Sequence, residues 1–137
     1  VEISDKKWMD PLLAAADLSG CHQNFTNIFA WAGTFRFRVA EAESHLVVKG
    51  ISPGGFPYYY YPAGPGDAGA ALQAMRQDAQ ACGHEYVLYG LSPENMNVLD
   101  RVFPNCFEYA ENRDSFDYVY LAQDLVTLSG KKLQAKR

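Results

Sequence analysis

Cysteine and histidine are scarce, three of each in 137 residues. Cys21, Cys82 and Cys106 lie far apart and are odd in number. That argues against a disulfide framework and predicts a reducing, cytoplasmic setting. Neither Cys21-His22 nor Cys82-Gly83-His84 has a partner at zinc-ligand spacing. Structural zinc sites gather their ligands in paired clusters, so no metal site is expected. His22, His45 and His84 have no evident catalytic acid or nucleophile paired with them and read as solvated or core histidines. Long apolar runs are missing too: none approaches the roughly 20 residues of a membrane-spanning helix. Basic residues are thin in the body of the chain. The last seven positions hold four of the 12 lysines and arginines, and the first 130 hold the other eight together with all 16 carboxylates. An acidic body does not hold a polyanion, so any electrostatic contact with a phosphate falls to the tail.

What is present fits one globular domain. Hydrophobic residues make up 48% and charged residues 20%, an ordinary balance for a chain with its own core. Aromatic content is high, with nine tyrosines and eight phenylalanines. Tyrosine-rich segments read as half-buried sheet faces, where the ring packs and the hydroxyl stays wet.

Residues 5–17 carry Trp8, Leu12, Ala15 and Ala16 at helical spacing, with Pro11 tolerable only near the first turn. A second helix is expected over 24–32, with Asn24 as N-cap and Gly33 as its end. The period then changes to two: Phe35, Phe37 and Val39 alternate with Arg36 and Arg38, which predicts a strand. Residues 46–51 read as a second strand and 58–61 as a third, with aromatic rings on both faces. A helix follows over 68–82, with Asp67 as N-cap. Residues 86–89 read as a short buried central strand. Ser92-Pro93 opens another helix in the favoured cap-then-proline order. The last strands are expected at 107–109 and 116–121. The order is α-α-β-β-β-α-β-α-β-β. It predicts an α/β domain with a mixed, mostly antiparallel sheet flanked by helices.

Gly64, Gly66 and Gly69 form G-x-G-x-x-G between a strand and a helix. Such a turn can cradle a pyrophosphate with backbone N–H groups at a helix N-terminus, which makes these glycines the candidate cofactor site. The surroundings pull the other way. Pro65 removes a donor, and Asp67 puts a carboxylate where a phosphate would sit. A plain loop before a capped helix is the competing reading. Glu85, Glu108, Asp114 and Asp117 are available carboxylates, but none reads as a base. Asp117 is expected to face water or a cation, and Arg113 to pair locally with Asp114.

Several phrases carry a resemblance. They are Asn24-Phe25-Thr26-Asn27-Ile28-Phe29-Ala30-Trp31, residues 59–67, and Arg113-Asp114-Ser115-Phe116-Asp117-Tyr118-Val119-Tyr120 running on to Leu128-Ser129-Gly130-Lys131-Lys132-Leu133-Gln134-Ala135-Lys136-Arg137. Together they resemble an uncharacterised bacterial family similar to the C-terminal domain of phosphatidylglycerol lysyltransferase. The resemblance implies an N-acetyltransferase-like fold, usually in two lobes, with this chain as the N-terminal lobe. It implies an acyl- or aminoacyltransferase whose donor is aminoacyl-tRNA or an acyl-thioester such as acyl-CoA. Residues 1–130 would be the lobe, and 131–137 the start of a basic helix leading to the C-terminal lobe. Lys131, Lys132, Lys136 and Arg137 would face the phosphates of a tRNA or a phospholipid headgroup, adding salt-sensitive affinity and no specificity. The basic run also has no helix terminator, which predicts that the chain is part of something longer. With no nucleophile or base of its own, the lobe alone is expected to be inactive. The alternative is a non-catalytic docking lobe with a degenerate donor site.

Overall fold

A computed structural model describes residues 1–16, 18, 20–117 and 120–127. A 3-10 turn at Ile3–Asp5 leads into α1 (Lys6–Ala16), and α2 (Phe25–Trp31) follows. Asn24 caps α2 as expected, its side chain accepting the Asn27 N–H at 2.8 Å. Pro11 lies in the interior of α1 and not at its first turn.

Strands β1 (Arg38–Ala42), β2 (His45–Ile51) and β3 (Pro57–Tyr60) form an antiparallel meander. Strand β4 (Leu88–Tyr89) pairs parallel to β3, giving the order β1-β2-β3-β4. The crossover from β3 to β4 is α3 (Gly69–Ala81); α4 (Pro93–Val102) comes next, then a 3-10 turn at Arg113–Ser115 and α5 (Ala122–Thr127). The sheet is mixed and mostly antiparallel, with helices on both faces.

Strand alternation sorts the core into two layers. Tyr58 joins Met9, Phe25, Ile28, Phe37, Leu46 and Val48 on the α1/α2 face. Tyr59 and Tyr61 join Leu72, Met75, Ala79, Leu99 and Phe103 on the α3/α4 face. The tyrosine run thus glues both layers to one strand, as its two-faced pattern predicts. Leu72 and Leu99 are fully buried. Past Tyr60 the β2–β3 pairing resumes at Leu46 and Ala63, one residue out of the register set by Lys49 and Tyr59. A slip of this kind marks a bulge that bends the strand.

Four expectations need correction. Phe35 and Phe37 are not in a strand: they belong to a turn after α2, with Phe35 N–H bonded to Trp31 O and Phe37 N–H to Ala32 O. Arg36 between them takes φ 50, so both rings reach the same side and stack at 5.6 Å. Alternation read the sidedness correctly and the backbone wrongly. Strand β4 is only two residues long and lies at the sheet edge among the described residues, with Tyr89 exposed. Residues 107–109 form no strand. Over 116–121, the described residues 116, 117, 120 and 121 are not strand either, and 118–119 lie outside the described residues.

Candidate functional site

The turn between α1 and α2 carries Cys21 and His22 to the end of the sheet where Tyr60 and Gly90 meet. The His22 ring lies 4.8 Å from the Tyr60 ring. It is clasped by two backbone segments: a Cβ on Gly20 would lie 2.5 Å from His22 Cε1, and one on Gly90 would collide with the Nε2 edge. Nε2 is buried without a well-formed hydrogen bond. Burial pushes the His22 pKa down, against smaller upward pulls from Asp117 and the Gly90 backbone.

Asp117 comes from the far end of the chain. Its Oδ2 accepts the Cys21 backbone N–H at 2.8 Å. The Cys21 thiol also interacts with this carboxylate, which raises the thiol pKa and lowers that of Asp117. Ligand-type atoms of Cys21, His22 and Asp117 all lie within 4.8 Å of one another. Asn27 ties its Nδ2 to Cys21 O at 2.7 Å and fixes the turn against α2.

Beside this group opens a cavity of about 150 Å³. Cys21, His22 and Asn27 form its polar end, and Trp31, Phe35 and Tyr60 are among its aromatic walls. The walls interlock: Trp31 packs on Phe35 at 5.7 Å, and Phe37 on Tyr60 at 5.5 Å. Trp31 remains 50% exposed at the mouth. The arrangement can take a small group with an apolar body and one polar end.

A second group lies on the opposite face. Asp78 Oδ2 accepts from Lys49 Nζ at 2.7 Å and from the Tyr59 hydroxyl at 2.5 Å. Lys49 Nζ also reaches Cys82 Sγ at 3.5 Å. His84 completes a Cys–His–Asp cluster here, with Nδ1 on Glu85 O. Hydrogen bonds from Lys49 and Tyr59 lower the Asp78 pKa, while burial and the neighbouring carboxylate push Tyr59 up to about 12. The cation of this cluster is the lysine.

The glycine turn is closely packed at Gly64. A Cβ on Gly64 would lie 2.6 Å from Ser44 O and 2.7 Å from the buried His45 ring, so Gly64 lets two backbones cross. Gly66 takes φ +75 in solvent. The Gly69 N–H donates to Asp67 Oδ1 at 2.7 Å, and Asp67 Oδ2 meets Arg101 Nη2 at 2.6 Å. Asp67 therefore precedes the N-cap position, which is Ala68, and its carboxylate takes a donor that an anion would need. Lys131, Lys132, Lys136 and Arg137 lie outside the described residues, and nothing is described of the Asp114 side chain. Sequence reasoning missed the meeting of Cys21 and His22 with Asp117. The signal was present only as three ligand-type residues separated by most of the chain.

These features define a mixed α/β fold, with a small aromatic-walled cavity at one end of its four-stranded sheet. The chain belongs to the phosphatidylglycerol lysyltransferase C-terminal family, whose model matches residues 14–137. It is also similar to a crystallised conserved protein of unknown function from Bacteroides thetaiotaomicron VPI-5482, at 30% sequence identity and a TM-score of 0.89. That match covers 99% of this chain and 46% of the other, so this chain spans less than half of that protein's length. No curated protein matches the chain. Among the described residues no helix is long and apolar enough to cross a membrane.

Proposed function

We propose that the chain is the N-terminal lobe of an acyl- or aminoacyltransferase that resembles phosphatidylglycerol lysyltransferase and takes its donor as aminoacyl-tRNA or an acyl-thioester. The observation that carries this reading is the family match over residues 14–137. Coverage of 46% of the Bacteroides protein supports a second lobe as the partner. So does the apolar edge near the end of the described chain, where Leu121, Leu125 and Val126 are 72%, 48% and 79% exposed. Such surface is usually covered by a neighbour. In this reading residues 1–130 are the lobe and 131–137 begin the inter-lobe helix. Its Lys131, Lys132, Lys136 and Arg137 meet the phosphates of the tRNA or of a phospholipid headgroup. The aromatic cavity receives the small group being carried.

The test is a titration of the full-length protein with lysyl-tRNA and with acyl-CoA. Binding is read by retention of the labelled donor on a filter, and the fluorescence of Trp31, 50% exposed beside the cavity, reports on this lobe. Expected is tRNA binding whose affinity falls steeply with salt, with a log–log slope of about −0.7 to −0.9 per phosphate contact. Replacing Lys131 and Lys132 by alanine lowers that slope. Binding of neither donor overturns the reading.

A second reading, a docking lobe with no donor site of its own, is favoured by one observation: the Asp67 carboxylate takes the Gly69 N–H and is neutralised by Arg101. Gly64, Gly66 and Gly69 would then hold no cofactor. Transferase activity that survives deletion of residues 1–137 selects this alternative.

A further inference from the structure

Cys21, His22 and Asp117 bring a thiol, an imidazole and a carboxylate together, with their ligand-type atoms inside 4.8 Å of one another. Mixed sulfur, nitrogen and oxygen donors in a compact group suit a borderline-soft divalent ion, above all zinc. We propose that these three side chains form a zinc-binding site whose fourth position opens on the aromatic cavity.

Charge is the first argument. A Cys21 thiolate and an ionised Asp117 supply two negative charges, which one divalent ion neutralises; the thiol proton leaves to solvent as the metal–sulfur bond forms. Among the described residues no lysine or arginine forms an ion pair with Asp117. The opposite cluster differs on this point, since Lys49 already neutralises Asp78 and touches Cys82. A metal there would have to displace a bound ammonium.

Preorganisation is the second argument. The His22 ring is held by Gly20, Gly90 and Tyr60, and its Nε2 edge is buried against Gly90. Ligating imidazoles characteristically have one nitrogen occupied by a backbone partner or a carboxylate while the other binds. Asp117 is placed by the Cys21 backbone N–H, and the Cys21 carbonyl is held by Asn27. Three ligands are thus positioned by the surrounding backbone and not by one another alone.

Coordination number is the third argument. Three protein ligands leave one tetrahedral position free, the arrangement of zinc sites that bind water or substrate. Cys21 and His22 both line the cavity, so a ligand occupying it reaches the ion. The site goes beyond the transferase reading and stands whether or not that reading holds.

The test uses the full chain stripped of metal by a chelator, then titrated with Zn²⁺ by calorimetry and with Co²⁺ by absorbance. Expected are one ion per chain and a near-ultraviolet thiolate-to-cobalt band. Cys21→Ser removes that band. Asp117→Asn weakens Zn²⁺ binding by about tenfold or more, the scale on which even outer ligand partners act. Cys82→Ser leaves both signals in place. Circular dichroism confirms that each variant is folded, and Asp117→Asn, at an exposed position, keeps the test open if Cys21→Ser is not. Absence of saturable binding overturns the proposal. So does a cobalt band lost in Cys82→Ser instead of Cys21→Ser, or Asp117→Asn binding at full affinity.

Discussion

Gly90→Ala isolates how firmly the fold grips His22. Gly90 has φ +73, and Gly66 has φ +75, so the two backbones are nearly the same. Their surroundings differ: nothing lies within 4 Å of a Cβ on Gly66, whereas a Cβ on Gly90 overlaps the His22 ring. An L-residue in this left-handed region loses about 1–2 kcal/mol. Stiffening the unfolded chain returns roughly 0.4–1 kcal/mol. Gly66→Ala should therefore destabilise by about 0.5–1 kcal/mol in all. Gly90→Ala carries the same backbone cost and an overpacking cost besides, which for cores runs about 1–3 kcal/mol. His22 is only half-buried, so the lower end applies and the excess over Gly66→Ala is about 1 kcal/mol.

Urea unfolding of the two variants measures that excess directly, provided the dependence on urea concentration is unchanged. The decisive step is to repeat the pair in a His22→Ala background. With the ring gone, the two alanines should cost the same. Equal costs in the parent chain, or a difference that persists without His22, would refute the packing of His22 against Gly90.

Leu99→Ala removes a fully buried side chain from the α3/α4 layer and should cost about 2–5 kcal/mol in chemical denaturation. Ser92→Ala breaks a reciprocal capping box with Asn95 and should cost about 1 kcal/mol, with most of it recovered in Ser92→Asp. Asp78 has a lowered carboxyl pKa in the folded chain. Its contribution is therefore fully present above the unfolded value of about 4 and drains away as pH falls through the lower folded value. Asp78→Asn should flatten the acid limb of the stability–pH curve while changing its neutral plateau modestly, because Asp78 is half exposed. An unchanged acid limb would remove Asp78 from that account.

Local chemistry was legible wherever one residue decides a local outcome. Asn24 caps α2 and Ser92-Pro93 opens α4, both from sequence neighbours, whereas Asp67, expected as the N-cap of α3, sits one residue before it. The tyrosine run was legible because strand alternation alone sends Tyr58 and Tyr59 to opposite layers. The strand expected from Phe35 begins only at Arg38, because a turn with Arg36 at φ 50 can also send two rings to one side, and period-two patterning does not tell these apart. The strand expected at 107–109 failed for a related reason. Phe107 and Tyr109 do pack in sequence, at 5.7 Å on Tyr86 and by a Tyr109 hydroxyl bond to Asp100, but they pack as irregular chain. The Cys21–His22–Asp117 group was not legible, since its members meet across 96 residues and no local spacing records a long-range contact.

The two Cys–His–Asp groups show how one strand can present the same side-chain types in two electrostatic states. Tyr59 points to the α3/α4 face and meets His84 and Asp78; Tyr60 points to the other face and meets His22. On the first face Lys49 enters from β2 and satisfies the carboxylate, and the tyrosine hydroxyl closes an internal ion pair, while His84 Nε2 is buried without a partner just as His22 Nε2 is. On the second face no described lysine or arginine pairs with the carboxylate, which leans on one backbone N–H and one thiol. A half-satisfied polar group beside a cavity is costly to keep unless something fills its vacant valences. Substituting Lys49 by methionine should therefore convert the first cluster toward the second: Asp78 would lose its cation, and Co²⁺ binding with a Cys82-dependent thiolate band should appear where the parent chain shows none. Should that band fail to appear in a folded Lys49→Met chain, the ammonium is not what keeps a metal from the α3/α4 face, and the charge argument that separates the two clusters fails with it.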